Sequence, residues 1–195
     1  MDIDAIIAQR VRALRKARGY SLDQLAELSG VSRSMISLIE RHETSPTAVV
    51  LNKLASALGS TLAALFSQET GRAEAQPLAR RAQQYVWTDP ESGYVRRQVS
   101  PSGWPSPVEL VEVLFPAGKS VAFENVTRST AAHQQVWVLE GEIDVIVEDR
   151  SWHLAVGDCL AMEIGPHIAF RNKSRRGARY LVALSTAPYP SRTMA

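Results

Sequence analysis

The hydrophobic positions in the first third of the chain recur at the three-and-four residue spacing of amphipathic helices. This pattern runs over residues 4–66 and is interrupted by helix-ending glycines and by one cap-and-stop run. The interruptions fall at Gly19, Gly30, Gly59 and residues 45–47, which read Ser-Pro-Thr. The pattern therefore predicts five helices, of which the last, over residues 62–66, is short.

Beyond residue 84 the pattern changes to short runs that are rich in β-branched and aromatic residues and are separated by turn signals. These runs cover residues 95–99, 108–115, 135–140, 142–148, 151–155, 159–163, 167–172 and 178–184. Many short strands at close spacing predict an all-β antiparallel barrel or sandwich. The polar residues between the two regions predict a linker. We therefore expect an all-α domain over 1–67, a linker over 68–83 and an all-β domain over 84–195.

Residues 21–46 have the layout of a helix-turn-helix. Ser21 and Ser32 are placed to cap two short helices, and Gly30 between them can adopt positive φ. One face of the second helix is apolar, and the other carries small hydroxyl side chains and guanidinium groups. A short helix of this kind fits the major groove of DNA, so we expect sequence-specific binding of double-stranded DNA.

The runs LRKARGYSLDQLA and GVSRSMISLIER, followed by SPT, resemble the helix-turn-helix of the Xre/Cro/phage-repressor family. The resemblance covers about residues 6–66 and implies a compact, lambda-repressor-like five-helix domain whose third helix is the recognition helix. By position it implies base contacts, phosphate contacts and a structural ion pair. Those residues are, in that order, Arg33, Ser34 and Ser37; Gln24 and Ser32; and Arg15 with Glu40.

Two arginines of the recognition helix have expected roles on chemical grounds. Arg33 is the candidate for base readout, because bidentate binding of guanine is the commonest specific contact, although a phosphate contact is the alternative. Arg41, at the end of the helix, is expected to meet phosphate. A helix-turn-helix can also serve as a packing unit without DNA, which leaves a protein–protein adaptor as a further hypothesis.

The segments HQQVWVLEGEIDVIV and GDCLAMEIGPHIAFRN resemble the two motifs of a cupin barrel, a double-stranded β-helix. The resemblance covers about residues 95–185, but the metal ligands of the motifs do not match. The glutamate position is Gln134, the last histidine position is Ile168, and the first two histidine positions fall among residues 127–130, which hold no histidine. His133 and His167 are each displaced by one residue, which on a strand turns a side chain to the other face. We therefore expect no metal and no cofactor.

A barrel that has lost its metal can still hold a small molecule at its mouth. The candidate effector-pocket residues are Gln134, Val136, Glu163 and Phe170. Trp137 and Trp152 are expected in the core or in a dimer contact, and Cys159 is expected as a core thiol. No nucleophile–base constellation is legible, so no catalytic residues and no enzymatic activity are expected.

Composition and charge change this picture little. The chain has 22 basic and 20 acidic residues, a net charge of +2, which by itself does not indicate a nucleic-acid binder. Five basic residues of the first helix either follow a phosphate backbone or form a solvated face: Arg10, Arg12, Arg15, Lys16 and Arg18. The single cysteine excludes an internal disulfide. With no signal-peptide pattern and no apolar run of about 18–20 residues, we expect a cytoplasmic protein without a membrane partner.

Specific affinity normally requires two half-sites read by a dimer. We therefore expect a homodimeric regulator, by family habit a repressor, that binds a pseudo-palindromic operator and has the barrel as dimerisation and small-molecule effector domain. The alternative is a metal-dependent or ligand-binding cupin, enzymatic or not, with an accessory helical domain.

Overall fold

The computed structural model describes residues 2–66, 75–124 and 133–185. Its helical part contains four α-helices and one 3-10 turn. These are α1 (Ile3–Ala17), α2 (Leu22–Ser29), α3 (Arg33–Glu40), α4 (Ala48–Ala57) and the turn Ala63–Phe66. The prediction of a fifth α-helix is wrong in type, because four residues close a single tight turn and no further helical bonds. None of the described helices is long and apolar enough to cross a membrane.

Local signals begin and end the helices of the helix-turn-helix. The hydroxyls of Ser21, Ser32 and Thr47 each accept a hydrogen bond from the backbone N–H three residues further on. Helix α2 ends at Gly30, whose φ of 67° is accessible without steric cost only to a residue lacking Cβ. These caps confirm the predicted helix starts and place α3 directly after a tight turn.

The helical core is formed by the apolar side of each helix. Its fully buried side chains include Ile7, Val11, Leu25, Ile36, Ile39, Leu51 and Leu54. Burying one such side chain stabilises the fold by roughly 1.5–3 kcal/mol. Because Ile36 and Ile39 bury one side of α3 in the helical core, the opposite side of this helix lies in solvent.

Within the described ranges, ten strands form two antiparallel sheets that face each other. The strands are β1 (Val86–Thr88), β2 (Val95–Gln98), β3 (Val108–Phe115), β4 (Ser120–Glu124), β5 (His133–Glu140), β6 (Ile143–Val147), β7 (Arg150–Leu154), β8 (Cys159–Glu163), β9 (His167–Arg171) and β10 (Ala178–Ser185). The larger sheet has the order β1-β2-β3-β10-β5-β8, and the smaller has the order β4-β9-β6-β7. From β3 to β10 the chain passes from one sheet to the other at every step except that from β6 to β7, which is the double-stranded β-helix of the cupin fold and confirms the predicted class.

Two of these strands were not predicted, and both are short. Strand β1 has three residues, and β4 places only Val121 and Phe123 inward. Period-two alternation over so few residues cannot be separated from irregular chain. The eight predicted strands are all present, with ends that differ by no more than two residues.

The helical part is docked on the barrel through α4 and the 3-10 turn. The backbone N–H of Ala48, the first residue of α4, donates to Asp89 Oδ1 at 2.9 Å. The Asn52 side chain donates to the carbonyl of Glu124 at 3.4 Å, and the rings of Phe66 and Trp87 lie 5.4 Å apart. The two domains therefore share one hydrophobic core. The first half of the predicted linker lies outside the described residues.

Candidate functional site

The N-terminus of α3 presents three exposed polar side chains. Ser32 Oγ accepts from the Met35 N–H at 3.2 Å and lies 3.1 Å from Ser34 Oγ. Arg33 Nε lies 3.1 Å from Asp23 Oδ1, and these two side chains are 64% and 77% exposed. An ion pair this exposed contributes little free energy, so the guanidinium can exchange its partner readily.

The second turn of α3 is held by a different arginine. Arg41 donates to both carboxylate oxygens of Glu43, at 2.6 and 2.9 Å, and also to Ser37 Oγ. The hydrogen bonds from Arg41 hold the pKa of the Glu43 carboxyl below its usual range. Because Ser37 and Arg41 are bonded to each other, contacts of both with a ligand require this small network to open.

Gln24 is held at the start of α2 by a capping box. Its Oε1 accepts from the Ser21 N–H at 2.8 Å, and its own N–H donates to Ser21 Oγ at 3.1 Å. This reciprocal pair orients the exposed glutamine side chain beside the N-terminus of the helix. Its Nε2 group has no hydrogen-bond partner within residues 2–66, 75–124 and 133–185, and it remains a donor for an acceptor such as phosphate.

The Arg15–Glu40 ion pair connects α1 to the end of α3. Arg15 Nε and Nη2 donate to the two Glu40 carboxylate oxygens at 2.6 and 2.7 Å, and Nη1 donates to the carbonyl of Tyr20 at 2.9 Å. The hydrogen bond to Glu40 raises the pKa of Arg15. The side chains are only 13% and 7% exposed, so the pair fixes the orientation of α3 inside the domain.

The basic cluster of α1 is divided between two environments. Arg10 donates to the carbonyl of Ala64 at 3.2 Å, and Arg15 is bound to Glu40. Arg12 and Lys16 are exposed. The five residues therefore do not form one continuous stripe for a phosphate backbone.

The barrel encloses a cavity of about 90 Å³ between its two sheets. Aromatic rings form much of its wall, among them Tyr94, Phe115, Phe170 and Tyr180. The rings of Phe170 and Tyr180 are stacked 5.8 Å apart and nearly parallel. One side of the wall belongs to the helical domain and consists of Asn52, Thr61, Leu62 and Ala63. The two domains thus share the wall of the cavity.

The structure brings together some of the predicted effector-pocket residues. Gln134 and Phe170 line the cavity, whereas Val136 is fully buried beside it. Glu163 is exposed and borders a separate depression at the end of the barrel. Leu160 and Met162 occupy the inward positions of β8, and Glu163 shares the depression at the end of the barrel with Gln134, so its role as an effector contact stays a prediction.

Sequence reasoning missed Arg96, the positively charged residue of the cavity wall. Its guanidinium lies 5.4 Å from the centre of the Phe66 ring, a cation–π contact with the helical domain. Its Nε is buried and has no hydrogen-bond partner in the described part of the chain. Burial lowers the pKa of Arg96. The overlooked signal was the alternation on β2, where Tyr94 and Gln98, two residues to either side, are buried.

The inward residues do not fit the metal centre that the cupin motifs usually build. Ile168 is buried and Gln134 lines the cavity, whereas His167 is exposed and His133 shares the outer face of β5 with Trp137. Residues 127–130 lie outside the described residues. Within those that are described, the grouping with metal-ligand spacing is Asp2, Asp4 and His42 in the helical domain, where Asp2 caps α1 and pairs with His42.

Cys159 and Trp137 lie on the outside of the larger sheet, where they are paired in register across β8 and β5. Both are exposed, Trp137 at 47%. The prediction of Cys159 as a core thiol is wrong because Leu160 next to it takes the inward position. Trp152 packs against the core from β7, as expected.

Comparisons with known proteins extend over both domains. Residues 11–65 match the family model HTH_3, described as helix-turn-helix. The chain is 27% identical to the HTH-type transcriptional regulator PuuR of Escherichia coli (strain K12), over 90% of this chain and 92% of PuuR. It is 32% identical to the immunity repressor protein of Bacillus phage phi105, over 64% of this chain and 86% of that protein.

The crystal structure of an HTH_3 family transcriptional regulator from Vibrio cholerae has the same overall fold. It superposes with a TM-score of 0.71 at 23% identity and covers 96% of this chain and 97% of its own. Other transcriptional regulators align over the helical domain only. The alignment covers 66 residues and 37% of SutR of Escherichia coli (strain K12), and 65 residues and 59% of SinR of Bacillus licheniformis. The helical domain therefore has the wider set of relatives, and the complete two-domain arrangement occurs in some of them.

Proposed function

Because this chain belongs to the Xre family of helix-turn-helix transcriptional regulators, we propose that it binds a pseudo-palindromic operator as a homodimer and controls transcription from it. The observation that carries this proposal is the geometry of α3. The helix is anchored by two buried isoleucines and presents Arg33 and Ser34 at its exposed N-terminus. In this motif, residues at the N-terminus of the recognition helix contact base edges in the major groove.

Three residues of α3 are proposed to read bases. Arg33 exchanges its exposed partner Asp23 for the O6 and N7 acceptors of a guanine, while Ser34 and Ser37 contact neighbouring base edges. Around them, Gln24, Ser32 and Arg41 are proposed to bind phosphate and to set the register of the helix on the duplex. The ion pair of Arg41 with Glu43 is exposed, which allows this exchange.

The outer face of the larger sheet is proposed as the dimer interface. Leu181, Trp137 and Cys159 occupy one row across β10, β5 and β8, and Trp137 is half exposed at its centre. One recognition helix makes few contacts, so reading two half-sites requires a second copy of this chain. A large exposed aromatic ring is the usual anchor of such an interface.

The dimer is tested by Trp137→Glu, which we expect to halve the particle mass from twice 21.4 kDa to 21.4 kDa in light scattering. Trp104→Glu is the matched control, because Trp104 is similarly exposed but lies in a loop away from this row. A dimer that persists in Trp137→Glu would place the interface elsewhere.

The barrel cavity is proposed as the effector pocket, with Gln134 and Phe170 among its contacts. An effector changes DNA affinity only if it binds two domain arrangements with different affinity, and a cavity walled by both domains meets this requirement. We propose repression rather than activation, action in the cytoplasm, and no enzymatic activity.

The proposal is tested by selecting bound sequences from a random duplex library while the size of the complex is recorded. An enriched, two-fold-symmetric site bound by two copies supports it. No enrichment by folded protein, with or without added small molecules, contradicts it. Stoichiometric iron, manganese, nickel or zinc that is lost in His133→Ala and His167→Ala would support the metal-dependent cupin instead.

A further inference from the structure

We propose that the barrel cavity binds a small organic anion, with the Arg96 guanidinium as its anchor and the helical domain as one wall. The anion site rests on the geometry of the cavity. Its regulatory consequence rests on the function proposed above.

Arg96 carries a positive charge that has no hydrogen-bond or ion-pair partner among the described residues. A guanidinium inside a protein is normally held by a carboxylate or by several hydrogen bonds, because an unpaired buried charge is costly. Arg96 makes no hydrogen bond or ion pair with any described residue, and its contact with Phe66 is to a ring. The cavity therefore contains a cation whose partner is not part of the described chain.

Among the described residues, the carboxylate that interacts electrostatically with Arg96 is that of Glu109, on β3 beside the strand of Arg96. The two side chains interact electrostatically, but they form no ion pair within 4 Å, and Glu109 Oε2 is buried without a hydrogen-bond partner in the described part of the chain. Burial raises the pKa of Glu109, which favours its neutral form. Glu109 therefore does not hold the Arg96 guanidinium by direct contact.

Several hydrogen-bond donors line the cavity near Arg96. Tyr94 and Tyr180 interact with Arg96, and burial raises the pKa of Tyr94 to about 12 and that of Tyr180 well above its usual value. Both phenols therefore stay protonated at physiological pH and can donate. Gln134 adds an amide. A guanidinium flanked by hydroxyl donors matches an oxyanion and repels a cation.

The apolar wall and the volume of the cavity limit the body of the ligand. The stacked rings of Phe170 and Tyr180, together with Phe115, make the remaining wall apolar. On the scale where one water needs about 10–15 Å³, a cavity of about 90 Å³ has space for roughly seven waters. These dimensions suit a carboxylate with a short aliphatic or single-ring body rather than inorganic phosphate alone.

Phe66 of the helical domain connects the anion site to the DNA-binding domain. The ring of Phe66 contacts both Arg96 and Trp87, and Leu62 and Ala63 just before it form part of the cavity wall. An anion that binds the guanidinium competes with the Phe66 ring for it. Occupancy therefore changes the contact that docks the helical domain on the barrel.

The test uses the full chain and three probes of one shape and different charge: benzoate, benzyl alcohol and benzylammonium. Titration calorimetry without DNA should detect binding of benzoate only. Arg96→Met, which keeps an unbranched apolar stem without the guanidinium, should weaken benzoate binding by about tenfold or more, and Arg96→Lys should weaken it less. Arg97→Met is the matched control, because Arg97 lies on the same strand and pairs with Glu112 on the outer face.

Two results would overturn the anion site. One is equal binding of all three probes, or no binding of either benzoate or the smaller anion butyrate. The other is a result without ligand. Arg96→Met should raise the unfolding temperature, because it removes an unpaired charge. A lower unfolding temperature would show that Arg96 and Glu109 stabilise each other and would overturn the site.

Coupling is then measured as the change in affinity for the selected operator when benzoate is added. We expect a change in the wild type and none in Phe66→Leu. If benzoate binds but no operator is recognised, the regulatory function fails while the anion site stands. If the operator is bound and its affinity ignores benzoate, the coupling through Phe66 is wrong.

Discussion

The arginines of α3 and the arginine of the barrel cavity have opposite relations to their surroundings. Arg33 and Arg41 lie in solvent beside exposed carboxylates, whereas Arg96 is half-buried, its Nε is buried, and it has no hydrogen bond within the described ranges. In water an ion pair is weak and exchanges freely, so a surface arginine is available to DNA. Inside the protein the same group is costly unless something binds it. A locally paired arginine and an unpaired one can therefore both indicate a binding role.

Arg15 provides the reference between these extremes, because it is largely buried and fully paired. Its bidentate contact with Glu40 and its bond to the Tyr20 carbonyl satisfy the guanidinium within the domain. Such a group contributes to the placement of α3 and is not available to a ligand. The three environments lead to different expected costs of substitution.

The largest effect is expected at the Arg15–Glu40 pair. Glu40→Ala leaves the guanidinium of Arg15 without its partner and should lower the free energy of unfolding by about 3 kcal/mol. Glu43→Ala breaks the exposed pair with Arg41, and because both groups are in solvent it should cost far less than Glu40→Ala. Urea unfolding of both variants measures the difference. Equal losses would contradict the division into structural and exchangeable pairs.

On the selected operator, Arg33→Ala should weaken binding by about 1–3 kcal/mol and relax specificity at one base pair. Arg41→Ala should weaken all sequences alike and reduce the salt slope of binding by about one. Titration of duplexes with each base at the contacted position, at several salt concentrations, separates the two roles. Identical behaviour of the two variants would show that both arginines contact phosphate.

Asp89 tests whether a buried carboxylate can be held by neutral donors alone. It accepts from the Ala48 N–H of the helical domain and from the Ser92 N–H, each at 2.9 Å, and it is 2% exposed. Asp89→Ala should lower the free energy of unfolding by about 1–2 kcal/mol, because the N–H of Ala48 at the start of α4 and the donors of Ser92 lose their acceptor. The exposed Asp149→Ala serves as control. A loss no larger than that of the control would mean that this contact does not hold the two domains together.

The smallest effect is expected at His153, on the surface of the smaller sheet. Hydrogen bonding to Asp144 raises the pKa of His153, and bonds from Lys173 and His153 lower the pKa of Asp144. The histidine contribution is complete below its unfolded pKa near 6.5 and is lost as pH rises through the higher folded value. The aspartate contribution is lost only as pH falls through its own lowered value.

Between pH 6 and 9 the wild type should therefore lose slightly more stability than His153→Gln, which lacks this titration. Urea midpoints of both proteins across that interval measure the difference. An unchanged difference would show that the His153–Asp144 contact does not persist in solution.

Local sequence signals were sufficient for the helix-turn-helix. The hydroxyl caps and Gly30 act on backbone groups a few residues away, and the apolar spacing already separates the buried and exposed sides of α3. Short strands are harder to interpret, because a one-residue error exchanges the two faces. This is the error at Cys159.

By itself the sequence determined the two-domain order, the starts of the recognition helix and its predecessor, the residues that α3 exposes and the antiparallel character of the second domain. Only the tertiary structure decided that Arg96 lines the barrel cavity and that Phe66 and Asp89 dock the helical domain on the barrel. The physical reason is the range of the interactions. A cap or a helical face involves neighbours, whereas the Asn52–Glu124 bond joins residues 72 positions apart and exists only once both domains have folded.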